Sequence, residues 1–250
     1  MRRKINCLSG SMLKVLAAIF MVCDHVGLMF FPTEASFRII GRLAFPIFAF
    51  LISEGARYTK NKVKYFSTMF GLAFICQVVY FLFDNGSLYM CILVTFSVSL
   101  LLIYVLKAVK QIYFGKGPNA HREGTLAALF FLAMVGGAYL LTLALEIDYG
   151  FAGIMTPVMA SLFDFRGIDA PEWLKKLDNI TLRVLSICPT LALLTLQSGN
   201  SVQIFCFASI PLLLLYSGSR GKYKLKYFFY LFYPLHLVLL EAIYILIVLL

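Results

Sequence analysis

The chain has 250 residues, of which 61% are hydrophobic and 14% charged, and its mean hydropathy is +0.88. A soluble domain carries about 25% charged residues and a disordered chain needs low hydrophobicity, so both classes are excluded. The formal net charge of +10 then reads as cytoplasmic loops of a polytopic membrane protein rather than as a nucleic-acid surface.

Windowed hydropathy predicts about nine apolar segments, at roughly 12–31, 37–53, 65–83, 88–106, 126–145, 150–165, 181–196, 201–216 and 227–250. The expected fold is all-α, a polytopic helical bundle forming one domain over 1–250, with no room for a separate soluble domain. The first segment carries Asp24 and His25 and no evident cleavage site, and is read as a retained helix. Lys and Arg orient the chain. Twenty of the 22 fall in alternate connections, four in each: before or inside the first segment, and after the second, fourth, sixth and eighth. That alternation predicts an inside N-terminus and an outside C-terminus.

Arg38 and Arg42 break the pattern, four residues apart and so on one helix face near the outer end of the second segment. At about 1.5 Å per residue, Asp24 lies roughly 10 Å below the outer end of the first segment and Arg42 roughly 7 Å below that of the second. The connection 32–36 is short, so the two helices are expected as antiparallel neighbours with Asp24 or His25 meeting Arg42. A buried charge inside a bilayer is costly and marks a site by default; the plain alternative is an ion pair that only joins two helices. His25 is turned about 100° from Asp24, so Asp24 is expected to hold Arg42 while His25 points into a cavity. His236, two residues after Pro234, sits near mid-depth of the last segment, and two such His in different segments favour chemistry over packing.

Glu54 and Lys14 both fall near the inner surface, where they fit a salt bridge. Glu146 and Asp148 mark an outer loop, either solvated or available to a cationic substrate. His121 lies in a polar loop. The six cysteines lack any CxxC pair and read as apolar fillers. No His ligand spacing such as HxxxH occurs, so no metal is expected. Walker, dinucleotide and GxSxG motifs are absent.

Three stretches carry a resemblance: Leu13-Lys14-Val15-Leu16-Ala17 through Cys23-Asp24-His25-Val26-Gly27; Arg38-Ile39-Ile40-Gly41-Arg42-Leu43-Ala44-Phe45-Pro46 through Glu54-Gly55; and Tyr233-Pro234-Leu235-His236 with the aromatic run before it. Asp148-Tyr149-Gly150 is a weaker fourth. Together they resemble the TraX family of inner-membrane proteins, which is itself similar to the broader membrane acyltransferases. The resemblance implies an acetyltransferase of the bacterial inner membrane that uses acetyl-CoA as acyl donor. Its acceptor would be a pilin-like N-terminal amine, or else a sugar or another small amine, with the lipid bilayer as its setting. It points to His25 as catalytic base or acyl carrier, Arg42 for the oxyanion, Asp24 to fix Arg42, and His236 for the leaving thiolate or the acceptor.

Arg38, Glu54, Asp148, Tyr149 and Tyr233 are expected around the acceptor. Arg57, Lys60, Lys62 and Lys64 are the inner cations expected to hold the donor's phosphates. Two other classes stay open: a proton-coupled small-molecule transporter and a non-catalytic membrane scaffold.

Overall fold

The computed structural model describes residues 7–83, 89–222 and 226–249. Among these the regular elements are all helices, joined by turns and loops, with two isolated backbone bridges. Six stretches are long and apolar enough to cross a membrane: Gly10–Phe30, Ala35–Tyr58, Lys62–Leu82, Ile92–Tyr113, Ala120–Ala144 and Ile180–Ser198. This is the pattern of a multi-pass membrane protein. The other three expected segments are also helical but shorter in their apolar parts.

Helix α1 (Gly10–Phe30) starts at Ser9, whose hydroxyl accepts from the Met12 N–H at 3.3 Å and caps the first turn. The second expected segment is two helices, α2 (Ala35–Gly41) and α3 (Ala44–Tyr58). Pro46 is the reason for the interruption. It has no N–H to offer the Arg42 carbonyl, and its ring crowds that carbonyl, so the ladder is broken where Arg42 and Leu43 sit. There the turn tightens, with Leu43 N–H bonded to Ile40 O at 3.2 Å.

Helices α4 (Lys62–Phe83), α5 (Ile92–Tyr113) and α6 (Ala120–Ala144) follow as long spans. Helix α6 presents Leu126, Phe130, Leu140 and Leu143 outward, as a lipid-facing helix does. Helix α7 (Gly150–Ala160) has 11 residues, about 16 Å of helix against the ~30 Å of a hydrocarbon core. It lies against α3, α5 and α6 inside the bundle. The polar stretch after it holds α8 (Glu172–Lys175), and α9 (Ile180–Leu185) runs into α10 (Cys188–Ser198). A 3-10 helix, Ser201–Ala208, then continues into α11 (Ser209–Leu214). The last helix, α12 (Lys226–Leu249), packs on α4 and α1.

The core is formed by Leu13, Ile47, Phe50, Leu100, Ile154, Leu191 and Leu213, all fully buried. The connections gather at two ends. At one end Leu8 pairs with Tyr216, and Arg57 of α3 meets Asp164 and Asp178, each at 2.6 Å. There Lys110 Nζ donates to the carbonyls of Ser161, Leu162 and Asp164 just beyond α7, a cation placed on a helix C-terminus. At the other end Met90 pairs with Ile147, and the Tyr89 hydroxyl donates to Asp148 Oδ1 at 2.8 Å. Among the described residues, the first end gathers Arg57, Lys110, Arg166 and Arg220, and the connection 145–149 at the second end has no Lys or Arg.

Candidate functional site

A cavity of about 1410 Å³ runs along α1, α3, α4 and α12. Its wall reaches from Gly10, Thr59 and Arg220 at one end to Asp148 and Tyr149 at the other, with Asp24, His25, Arg38 and Arg42 in the second half. The residues expected at a site near the outer end therefore share one space.

Asp24 is the hub. Its Oδ2 accepts from Arg38 Nη1 at 2.8 Å, and its Oδ1 lies 3.6 Å from Arg42 Nη2. The closer partner is Arg38, where the sequence pointed to Arg42. Gly41 allows the approach: a Cβ there would strike the Asp24 side chain. Arg42 is held from its other side by Gln203, whose Oε1 accepts from Arg42 Nη1 at 3.2 Å. Among the described residues, Asp24 Oδ1, Arg42 Nε and Gln203 Nε2 are buried without a hydrogen-bond partner, and all three residues line the cavity.

His25 Nδ1 lies 2.8 Å from the Met21 carbonyl one turn back. A carbonyl only accepts, so Nδ1 carries a proton, and in the neutral imidazole Nε2 is the nitrogen with the lone pair. His236 repeats the arrangement, with Nδ1 3.1 Å from the Phe232 carbonyl and a buried Nε2 that has no hydrogen-bond partner among the described residues. The two imidazoles meet edge to face at 5.1 Å between centroids. His25 lines the cavity; His236 stands behind it, packed between the rings of Phe232 and Tyr233. The structure thus brings together two histidines more than 200 residues apart in sequence.

Tyr149 takes a left-handed backbone (φ 60) and stacks on Phe45 at 4.1 Å. That turn exposes Asp148 to the cavity wall. Burial pushes the Asp148 carboxyl up to about 6, although the Tyr89 hydroxyl and Arg42 pull the other way. Tyr233 of α12 also lines the cavity.

The other expected residues take different positions. Glu54 is 5% exposed and pairs with Arg183, itself 2% exposed, at 2.5 Å, while the Tyr216 hydroxyl donates to Glu54 at 2.8 Å. Glu54 borders the cavity, but its carboxylate is committed to this pair. Arg57 is enclosed between Asp164 and Asp178. Lys62 places its ammonium over the Tyr104 ring at 5.5 Å, and Lys60 and Lys64 are exposed. None of these four cations lines the cavity. The sequence reading missed Gln203 and Arg183. Gln203 left a signal: it is the one amide in the apolar run from Val202 to Leu215. Arg183 looked like an ordinary loop cation.

A family model described as TraX protein matches residues 9–244. The chain is similar to the probable fimbrial assembly protein FimC, serogroup H1, of Dichelobacter nodosus, with 25% identity over 265 residues, covering 96% of this chain and 97% of that protein. It is also similar to the uncharacterized protein RP591 of Rickettsia prowazekii (strain Madrid E), at 43% identity over 53 residues, 21% of each chain. No solved structure matches.

Proposed function

The chain belongs to the TraX family, and from that premise we propose that it is a membrane acyltransferase moving an acetyl group from acetyl-CoA to an amine or hydroxyl acceptor. By kinship with a fimbrial assembly protein, the N-terminal amine of a pilin-like peptide is the acceptor of choice. The observation that carries this reading is His25, whose Nδ1 is turned to the Met21 carbonyl, lining together with Arg42 and Asp24 one cavity that reaches both ends of the bundle. Alternating basic loops give the polarity: N-terminus and donor on the inner side, C-terminus and acceptor on the outer side of a bacterial inner membrane. Counting α7, the Ser201–Leu214 stretch and α12 as crossings beside the six long spans makes nine in all.

In this mechanism the acceptor nitrogen attacks the thioester carbonyl and His25 Nε2 takes its proton. The carbonyl oxygen becomes an oxyanion facing the Arg42 guanidinium, which Asp24 and Gln203 hold in place. The carbon–sulfur bond then breaks, and the departing thiolate takes the proton back from the His25 imidazolium. His236 supports the His25 ring from behind. The cavity wall keeps bulk water from the thioester and so limits wasteful hydrolysis.

The test uses purified protein in nanodiscs with labelled acetyl-CoA. CoA-thiol release by wild type, lost in folded His25→Ala, is the expected result. Absence of both release and acetyl-CoA binding in wild type refutes the reading. It would bring forward a proton-coupled transporter, which the same end-to-end cavity also fits; pH-driven flux without acetyl-CoA is that reading's signature.

A further inference from the structure

The cations at the basic end of the bundle divide by what they touch. Arg57 is held between Asp164 and Asp178, and Lys110 is spent on three carbonyls. Lys62 and Lys107 differ. Among the described residues neither ammonium forms an ion pair with a carboxylate. Instead they face each other, with Lys107 close enough to Lys62 for the two charges to repel.

Local structure brings them together. Lys62 opens α4 and Lys107 lies in the last two turns of α5, and the two helices pack side by side. Tyr104 precedes Lys107 by three residues, so it shares a face of α5 with it. The Tyr104 hydroxyl donates to the Lys62 carbonyl at 3.4 Å, and the Lys62 ammonium stands 5.5 Å from the centroid of the Tyr104 ring. Tyr104 therefore ties the end of α5 to the start of α4 and holds the two lysines at one place.

Two like charges held together cost the fold energy unless an anion lies between them. The surroundings point to the kind of anion. The pair sits at the ends of two long apolar spans, at the level where lipid headgroups stand. From Lys62 onward α4 exposes Val63, Phe70 and Phe74, which fall on one face of the helix. A phosphate above two ammonium groups, continuing into hydrocarbon along an apolar helix, is the chemistry of an anionic phospholipid.

We propose that Lys62 and Lys107 form a seat for the phosphate of an anionic phospholipid, with the Tyr104 ring beneath the headgroup and the acyl chains along α4. The seat lies off the cavity wall, and its occupancy is read without turnover, so it stands or falls independently of acyl transfer.

Wild type, Lys62→Gln/Lys107→Gln and Lys60→Gln/Lys64→Gln are purified into micelles holding phosphatidylglycerol and phosphatidylcholine in equal amounts, and native mass spectrometry measures the lipid each retains. Wild type is expected to retain phosphatidylglycerol over phosphatidylcholine by about tenfold or more, two lysines each adding their attraction for an anionic headgroup. Lys60→Gln/Lys64→Gln, with the same loss of charge at exposed positions, is expected to keep that preference, and Lys62→Gln/Lys107→Gln to lose most of it. The latter is also expected to melt no lower than wild type in phosphatidylcholine alone, because it relieves a like-charge contact; Lys107→Gln serves if the double variant does not fold, and is expected to lose part of the preference. Inorganic phosphate in excess is expected to leave the lipid bound. No preference in wild type, or a preference that survives Lys62→Gln/Lys107→Gln, overturns the seat. An equal loss in both double variants also overturns it, assigning the preference to diffuse positive charge. Full displacement of the lipid by inorganic phosphate overturns it too, assigning the two cations to a soluble phosphate.

Discussion

Removing Arg183 tests whether Glu54 belongs to the scaffold or to the acceptor. Arg183 Nη1 lies 2.5 Å from Glu54 Oε1, its Nε donates to the Ala160 carbonyl at 3.2 Å and its Nη2 to the Ser53 hydroxyl at 3.3 Å. The two side chains of the pair are 3% and 6% exposed. Arg183→Met leaves the Glu54 carboxylate buried with only the Tyr216 hydroxyl, a loss of about 3–5 kcal/mol for a buried pair broken on one side. Glu54→Gln leaves the Arg183 charge stranded and is expected to cost a similar amount. Glu54→Gln/Arg183→Met removes both charges and is expected to recover all but about 1–2 kcal/mol, since well-packed neutral groups replace buried pairs at little cost. Reversible denaturant unfolding of all four proteins in micelles measures the coupling. Strict additivity, or single variants within about 1 kcal/mol of wild type, would refute the ion pair as the reason Glu54 is buried. A Glu54→Gln protein with unaltered stability but a raised acceptor KM would place Glu54 at the substrate instead.

His25→Ala is expected to lower kcat by about 10²–10⁴, the range of a lost general base, with the thermal midpoint little changed; a fall below tenfold in thiol-release assays contradicts the assignment. Gly41→Ala forces Asp24 off its place beside Arg38 and Arg42 and is expected to cost about 1–3 kcal/mol by overpacking, together with most of the activity. Gln203→Ala frees Arg42 on one side and is expected to lower kcat more than it raises the donor KM. The Asp148 carboxyl titrates near 6 when folded and near 3.8 otherwise. The folded state therefore holds the extra proton between those values, and stability from this group falls as pH rises through that window. The melting-temperature gap between Asp148→Asn and wild type is then expected to be widest above pH 6 and to close towards pH 4; a gap independent of pH would show that burial does not disfavour the carboxylate.

Apolar runs and alternating loops made the helices legible, because a bilayer demands about 20 apolar residues per span and sorts Lys and Arg by side. What the runs hid was interruption. The break at Arg42 follows from one missing N–H at Pro46, four residues on, inside a segment apolar enough to read as one span. The run at 150–165 gives only 11 helical residues because α7 is enclosed by neighbouring helices rather than by lipid.

The site was legible through its charges: Asp24, Arg38, Arg42 and His25 lie on adjacent segments joined by a short turn, so proximity followed from depth. Whether Arg38 or Arg42 comes closest to Asp24 depended on packing at Gly41, which depth alone does not specify. The meeting of His25 with His236, and of Glu54 with Arg183, joins segments far apart in the chain, and hydropathy carries no information on which helices become neighbours. Arg57 appeared to be a donor-binding cation because its partners, Asp164 and Asp178, sit more than 100 residues away.

The most direct test of the central claim is a sided one. Sealed vesicles carry the protein, labelled acetyl-CoA is added outside only, and a short peptide with a free N-terminal amine is trapped inside. The account predicts acetyl label on the trapped peptide with wild type and none with His25→Ala, because donor and acceptor reach one base from opposite ends of one cavity. Label that forms only when donor and peptide share a compartment, or that survives His25→Ala, would contradict it.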